Sequence, residues 1–221
     1  MSDTVILNEP KITSKEEFFA LLKQGETFYS YDVEGLDLSN TSFNGVSLRD
    51  LYLKGVNLSG ANLSNCDMTE TVLLKANLQD ANLSKAILFK TVCKDADFTN
   101  AKLEDADMRE GNFLDAIFLG ANLNRAVATH AKFKMANLSY AKIKGAHLDY
   151  VSAELANMTG AVITNSMCEY INLKGATLAE ADFSGSNLKW AIFSVANAYQ
   201  GNFSGCDMGN TDLSYANFNE A

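Results

Sequence analysis

Cysteine thiols are the most reactive side chains in this sequence, and their spacing decides which chemistry they could perform. The chain has four cysteines among its 221 residues, at Cys66, Cys93, Cys168 and Cys206. Zinc sites and disulfide-exchange motifs place two cysteines within a few residues of each other, but these four lie far apart. The spacing therefore argues against metal binding and redox chemistry, and it favours buried thiols that pack as small apolar groups.

The two histidines, His130 and His147, are the remaining candidates for acid–base chemistry. Neither has an acidic residue or a second histidine at a spacing typical of a catalytic or metal site. We therefore expect both to be surface residues. The sequence predicts a protein that is not an enzyme, with no catalytic residue, cofactor or metal ion.

Composition limits the class of protein and of partner. Apolar residues make up 47% of the chain and charged residues 20%, with a single proline, which indicates a folded protein. The net charge of −9, with acids and bases mixed along the chain, gives no basic patch for nucleic acid, so direct nucleic-acid binding is not expected. No stretch resembles a signal peptide or a membrane span, so we expect a cytoplasmic protein without a membrane association.

A five-residue repeat organises nearly the whole chain. Written in fives from Tyr31, the third residue of each block, which we call the centre, falls at positions 33, 38 and so on to 218. All 38 centres are apolar or cysteine, and 17 are leucine and nine are phenylalanine. Alanine stands two positions before the centre in 21 blocks, and asparagine or aspartate stands one position before it in 21. No insertion shifts this frame.

A period of five excludes both regular elements. Five residues advance an α-helix by about 500°, so successive centres would leave a common face. In a flat strand the side chains alternate, so every second centre would point to solvent. The pattern therefore predicts a chain that turns by a constant angle in each block and stacks its coils through backbone hydrogen bonds, which is a β-solenoid.

Like residues twenty positions apart favour four blocks per coil. Such pairs occur among the centres and also at an outer corner: Phe98 with Phe118, Phe113 with Phe133, Phe183 with Phe203, and the series Tyr150, Tyr170 and Trp190. At the same spacing Ala153 follows Phe133, which indicates compensation of side-chain size inside the rod.

Two segments follow from this frame. Residues 1–30 are predicted to form an N-terminal cap, with a short helix at about residues 14–24 that begins at the capping box Ser14 to Glu17. Residues 31–221 are predicted to form the solenoid, with about nine and a half coils. The apolar last coil, with Phe218, predicts a homodimer through the C-terminal coils.

The run GANLSNCDMTETVLLKANLQDANL, from Gly60 to Leu83, resembles the A(D/N)LXX signature of the pentapeptide-repeat family. This resemblance implies an all-β fold, a right-handed quadrilateral β-helix, here with the short N-terminal capping α-helix. It implies less about function, since family members include gyrase-binding DNA mimics that confer resistance to quinolones or toxins, cyanobacterial differentiation regulators and bacterial effectors.

The sequence departs from the DNA mimics in this family. It has no projecting loop and no dimerisation helix after the repeats, and Lys54, Lys94, Lys134 and Lys174 share one face and would interrupt an acidic stripe. We therefore predict a non-catalytic scaffold that binds an as yet unidentified protein partner. The alternative is an acidic DNA mimic that binds DNA gyrase or a related topoisomerase.

The candidate interaction surface consists of outward apolar residues in the C-terminal half. One column contains Tyr150, Tyr170 and Trp190, and the adjacent column contains Met135, Leu155 and Val195. Together they are predicted to form an exposed apolar patch, a feature that often marks an interface. The competing interpretation is that the corners of a solenoid tolerate scattered aromatic residues whose stacking only stabilises neighbouring coils.

Overall fold

A computed structural model describes residues 9–221, and one short helix precedes a long rod of stacked coils. The helix, α1, spans Lys15–Lys23, within the predicted range. In the described part of the chain, the β-structure of the rod consists of isolated parallel bridges. Each bridge joins one residue to one residue of the next coil, and no longer strand forms. The observed architecture is the right-handed quadrilateral β-helix that the sequence predicts.

The bridges confirm that four blocks make one coil. They join residues twenty apart in a continuous series from Asp37↔Asn57 to Asn197↔Asn217. The amide of Leu38 donates to the carbonyl of Asn57 at 2.8 Å, and the amide of Asn57 donates back to Leu36 at 2.9 Å. Each face of the rod is thus a narrow parallel sheet whose backbone groups are satisfied by the coils above and below.

Every corner of the rod is a tight turn with a left-handed residue. At the first corner the amide of Leu36 donates to the carbonyl of Val33 at 3.0 Å, and Gly35 has φ +78°. A positive φ at the third residue is the requirement of a type II turn. The same position is left-handed around the rod, with φ between about +50° and +80°. The constant angle predicted from the sequence is therefore made by one repeated turn.

Centres and small residues fill the interior, as the pattern predicts. The phenylalanine centres stack at twenty-residue steps, with ring centroids 4.6 Å apart for Phe98 and Phe118 and 5.0 Å apart for Phe113 and Phe133. Phe183 and Phe203 are likewise stacked at 5.4 Å. The burial of these side chains supplies the main stabilising free energy, about 1.5–3 kcal/mol for each large residue.

Inward polar residues bond to the coil below. The hydroxyl of Thr71 donates to the carbonyl of Leu48 at 2.6 Å, and that of Ser166 donates to Ile143 at 2.7 Å. Among residues 9–221, no buried side-chain oxygen or nitrogen lacks a hydrogen-bond partner. Small hydroxyl residues can therefore replace alanine inside the rod without the cost of an unsatisfied polar group.

The helix α1 covers the first coil. The Ser14 side chain accepts a hydrogen bond from the amide of Glu17 at 3.1 Å, which caps the helix. Phe18 is fully buried and stacks on Phe28, with ring centroids 4.7 Å apart. Lys15 Nζ donates to the carbonyl of Ser39 at 2.9 Å and ties the helix to the rod. The remainder of the predicted N-terminal cap, residues 1–8, lies outside the described residues.

The core is loosely packed at the alanine centre Ala153. A small cavity of about 20 Å³ lies beside it, lined by apolar side chains that include Phe133, Leu138 and Ile171. Ala153 stands where the neighbouring coils have Phe133 and Leu173. The smaller side chain therefore leaves space that the neighbours do not fill completely.

We expect Ala153→Val to stabilise the rod by about 1 kcal/mol, because cavity-filling substitutions typically add 0.5–2 kcal/mol to the free energy of unfolding. Chemical denaturation followed by circular dichroism measures the change. As a control, Ala176→Val places the same two methyl groups at a small position that is already buried, and overpacking there should cost about 1–3 kcal/mol. Equal destabilisation by both substitutions would contradict the assignment of the cavity.

Candidate interaction surface

Stacking turns equal positions of successive coils into straight columns. The residues on either side of each centre point outward from a face, and the second residue after each centre forms a corner. The first face is the one whose centres fall at positions 33, 53 and every twentieth residue up to 213. The second, third and fourth faces follow in chain order, with centres that begin at positions 38, 43 and 48. Each column then repeats every twenty residues.

The predicted column of rings is present in the structure, and it contains one residue more than the sequence predicts. Tyr150 and Tyr170 stack with centroids 4.8 Å apart and an angle of 5° between the rings, and Tyr170 and Trp190 stack at 6.0 Å and 3°. His130 extends the column below, with its ring 4.9 Å from that of Tyr150. These spacings are those of favourable aromatic pairs. We call the four residues the ring ridge; it lies on the corner between the fourth and first faces.

The sequence predicts His130 only as an isolated surface histidine. The twenty-residue step from His130 to Tyr150 was the signal that could have placed it in the ring ridge. His147, by contrast, points outward from the fourth face and is exposed. The structure therefore separates the two histidines, and only one belongs to the candidate surface.

The second predicted column lies on the other corner of the first face. Met135, Leu155 and Val195 form what we call the aliphatic ridge. A side-chain Cβ at the intervening Gly175 would lie 2.8 Å from Cδ2 of Leu155, so Leu155 lies over this glycine. All six predicted residues are 41–57% exposed. The face between the two corners separates the ridges, so they do not form one continuous apolar patch.

The ridge residues occupy a backbone conformation that does not suit them. Trp190 has φ +59°, Leu155 +59° and the β-branched Val195 +53°. A left-handed conformation costs an ordinary L-residue about 1–2 kcal/mol. Asparagine and glycine, which tolerate this conformation, occupy many other corners of the same rod. The apolar side chains at these corners are therefore present in spite of their effect on backbone stability.

Three of the four cysteines are buried, as predicted. Cys66, Cys93 and Cys168 are fully enclosed, and Cys206 in the last coil is partly exposed. Burial raises the pKa of the Cys66 thiol to about 11 and raises the pKa of Cys93 and Cys168 as well. The Cys66 thiol bonds to the carbonyl of Phe43, with 2.8 Å between sulfur and oxygen. These thiols are protonated at neutral pH and act as packing groups.

Ion pairs between coils interrupt the acidic surface. Arg125 donates hydrogen bonds of 2.7 and 3.0 Å to Asp105, which lowers the pKa of that carboxyl. Lys189 lies 2.9 Å from Asp207 and Arg49 lies 3.0 Å from Asp67. Such exposed pairs add little to stability because solvent screens them. Their main effect is on the surface, where they alternate positive with negative charge.

Residues 9–221 contain neither a metal-site cluster nor a membrane-spanning helix. No cluster of three or more histidine, cysteine, aspartate or glutamate side chains has the arrangement of a metal site. Within the same residues, no helix has the length and apolar character needed to cross a membrane.

Comparison with known proteins identifies the repeat. The sequence profile described as pentapeptide repeats matches residues 34–70, 52–88, 76–115, 112–145, 156–194 and 196–221. No curated protein is significantly similar in sequence to this chain.

Two solved structures are among those similar to this chain. One is HetL, a pentapeptide repeat protein involved in heterocyst differentiation regulation in the cyanobacterium Nostoc sp., with a TM-score of 0.78 and 24% identity over 93% of this chain and 95% of that chain. The other is full-length QnrB1, a plasmid-mediated fluoroquinolone resistance protein, with a TM-score of 0.43 and 16% identity over 80% of this chain and 91% of that chain. The likeness to HetL shows the fold alone.

The backbone cost at the aliphatic ridge can be measured. We expect Val195→Asn to raise the free energy of unfolding by about 1 kcal/mol, since asparagine tolerates φ near +53° and a β-branched residue does not. The reverse change, Asn65→Val, at a corner with φ +57°, should lower the free energy of unfolding by a similar amount. Thermal and chemical denaturation check both. Loss of stability in Val195→Asn would mean that packing of the valine side chain outweighs the strain.

Proposed function

The chain belongs to the pentapeptide-repeat family, and from this premise we propose that it is a non-catalytic scaffold that binds a protein partner through the ridges of its C-terminal half. The ring ridge carries the proposal. Three large aromatic residues are stacked there at an exposed corner, each 41–50% accessible. Tyrosine and tryptophan are enriched at protein interfaces and supply large contact areas at low cost in side-chain entropy.

Rigidity supports a binding role. Each coil is fixed by backbone hydrogen bonds to both neighbours, such as those of Tyr150 to Glu169 at 2.9 Å and Trp190 to Gly209 at 2.9 Å. The ridge residues are therefore held in register before a partner arrives. A preorganised surface loses little conformational entropy on binding, which leaves more of the contact energy as affinity.

The acidic DNA mimic is the weaker proposal. Its support is the net charge of −9. A DNA mimic needs a continuous negative surface, and the inter-coil pairs of Arg125 with Asp105 and of Lys189 with Asp207 interrupt it. Side-chain recognition at the ridges requires no such continuity.

The scaffold proposal predicts that contacts with a partner concentrate at the ring ridge. A photo-crosslinking phenylalanine analogue at position 170, introduced in the organism that encodes the chain, should form a covalent adduct with one protein. Tyr140, which is 59% exposed on another corner, provides the matched control position. The double variant Tyr170→Ser/Trp190→Ser, tested with the purified partner, should lower its affinity at least tenfold, whereas Tyr140→Ser should not.

Two outcomes would contradict the proposal. One is equal crosslinking at positions 140 and 170, or none at position 170. The other is inhibition of DNA supercoiling by gyrase that persists unchanged in Tyr170→Ser/Trp190→Ser, which would support the DNA mimic instead.

A further inference from the structure

The strip of the first face that lies between the two ridges carries positive charge on an otherwise acidic protein. Eight outward positions form this strip, from 132 to 194. Their residues are Lys132, Lys134, Ser152, Glu154, Asn172, Lys174, Ile192 and Ser194. The set contains three lysines and one glutamate and therefore has a formal charge of +2, whereas the net charge of the whole chain is −9. We call this set the lysine strip.

The single glutamate does not neutralise the lysines. Glu154 stands in one column directly between Lys134 and Lys174. Its carboxylate points across the face instead. It accepts one hydrogen bond from the side-chain amide of Asn172, at 2.8 Å, and another from the Ser152 hydroxyl. Within residues 9–221, no carboxylate lies within 4.0 Å of the ammonium group of Lys132, Lys134 or Lys174. All three lysines are exposed.

Acidic residues border the lysine strip on one side and at its C-terminal end. Beyond the ring ridge, the fourth face presents Asp149 and Glu169 at the level of Tyr150 and Tyr170. At the C-terminal end the strip stops at Asp212, whose pKa is lowered by hydrogen bonds from Ser214 and by the charge of Lys174. Lys189, at the level of Trp190, also lies on the fourth face but pairs with Asp207 at 2.9 Å, so an anionic ligand is attracted more strongly to the first face than to the fourth.

We propose that the lysine strip and its two ridges bind an acidic, apolar-rich segment of the partner protein. This inference rests on the proposed scaffold function and specifies the chemistry of its partner. Carboxylates of the segment lie over Lys134 and Lys174, which are two coils apart, on the order of 10 Å. Its apolar side chains contact Tyr170 and Trp190 on one side and Leu155 on the other.

The backbone of the strip limits how the segment is recognised. The amides and carbonyls of these coils are already paired, as in the bond from the Asn172 amide to the Val151 carbonyl at 2.9 Å. The segment therefore cannot add a strand to the face, and it is read by side chains alone. Exposed charge pairs are weak because solvent screens them, so affinity depends on the apolar ridges, whereas discrimination between acidic and basic ligands depends on the lysines.

Three synthetic peptides test the inference on the full chain. The first contains two Leu-Asp-Glu-Phe units, the second replaces both acids with lysine, and the third replaces both apolar residues with serine. Trp190, the single tryptophan of the chain, reports binding by its fluorescence. We expect the first peptide to bind at least tenfold more tightly than the other two, with an affinity that falls as salt concentration rises.

Charge reversal locates the site. Lys134→Glu/Lys174→Glu should weaken binding of the acidic peptide at least tenfold. Lys142→Glu/Lys144→Glu makes the same change in net charge at two exposed lysines on the third face and should leave binding within twofold. Circular dichroism verifies that both variants are folded. Absence of binding by the acidic peptide, equal binding of the acidic and basic peptides, or an equal loss in both double variants would overturn the inference.

The protein partner separates this inference from the function on which it rests. Suppose that Tyr170→Ser/Trp190→Ser abolishes binding of the crosslinked partner but Lys134→Glu/Lys174→Glu does not. The scaffold function then stands, and only the inference that the partner presents an acidic segment is wrong. If neither double variant affects the partner, both proposals fail.

Discussion

The ladder of backbone hydrogen bonds between coils is the constraint on which the rest of this structure depends. For residue 57 to bond to residues 36 and 38 of the coil below, four blocks must return the chain to its starting direction. Each block must therefore turn through the same angle, which requires a left-handed residue at every corner. The twenty-residue step is the geometric result, and it applies to interior and surface alike.

The same constraint explains why the surface is so regular. A column of side chains at equal positions is spaced by the distance between hydrogen-bonded strands, about 4.8 Å. That spacing suits stacked rings, so Tyr150 and Tyr170 meet at 4.8 Å without any adjustment of the backbone. It also places charges of successive coils within reach of each other, as in the pair of Arg125 with Asp105. Recognition on such a rod depends on which residue types occupy each column.

The candidate surface combines two of these columns with part of a face whose net charge is positive, whereas the whole protein is negatively charged. The ring ridge and the aliphatic ridge provide apolar area, and the lysine strip between them provides positive charge. The apolar corner residues adopt positive φ at a cost in stability. Lysine, aspartate and glutamate adopt the same positive φ at many other corners, so this cost is shared along the rod, and the ridges differ from the other corners in the apolar side chains that they display.

The sequence by itself determined the architecture, because a strict period of five leaves few geometric solutions and the pairs at twenty residues select one of them. It also located α1 through its capping box and placed the thiols inside. The tertiary structure decided the details that depend on side-chain direction and local space. It added His130 to the ring ridge, set the ridges on two corners rather than in one patch, and left a cavity beside Ala153. It also turned Glu154 toward Asn172 and away from the lysines. Column membership follows from counting residues, whereas the orientation of a side chain depends on neighbours from other coils.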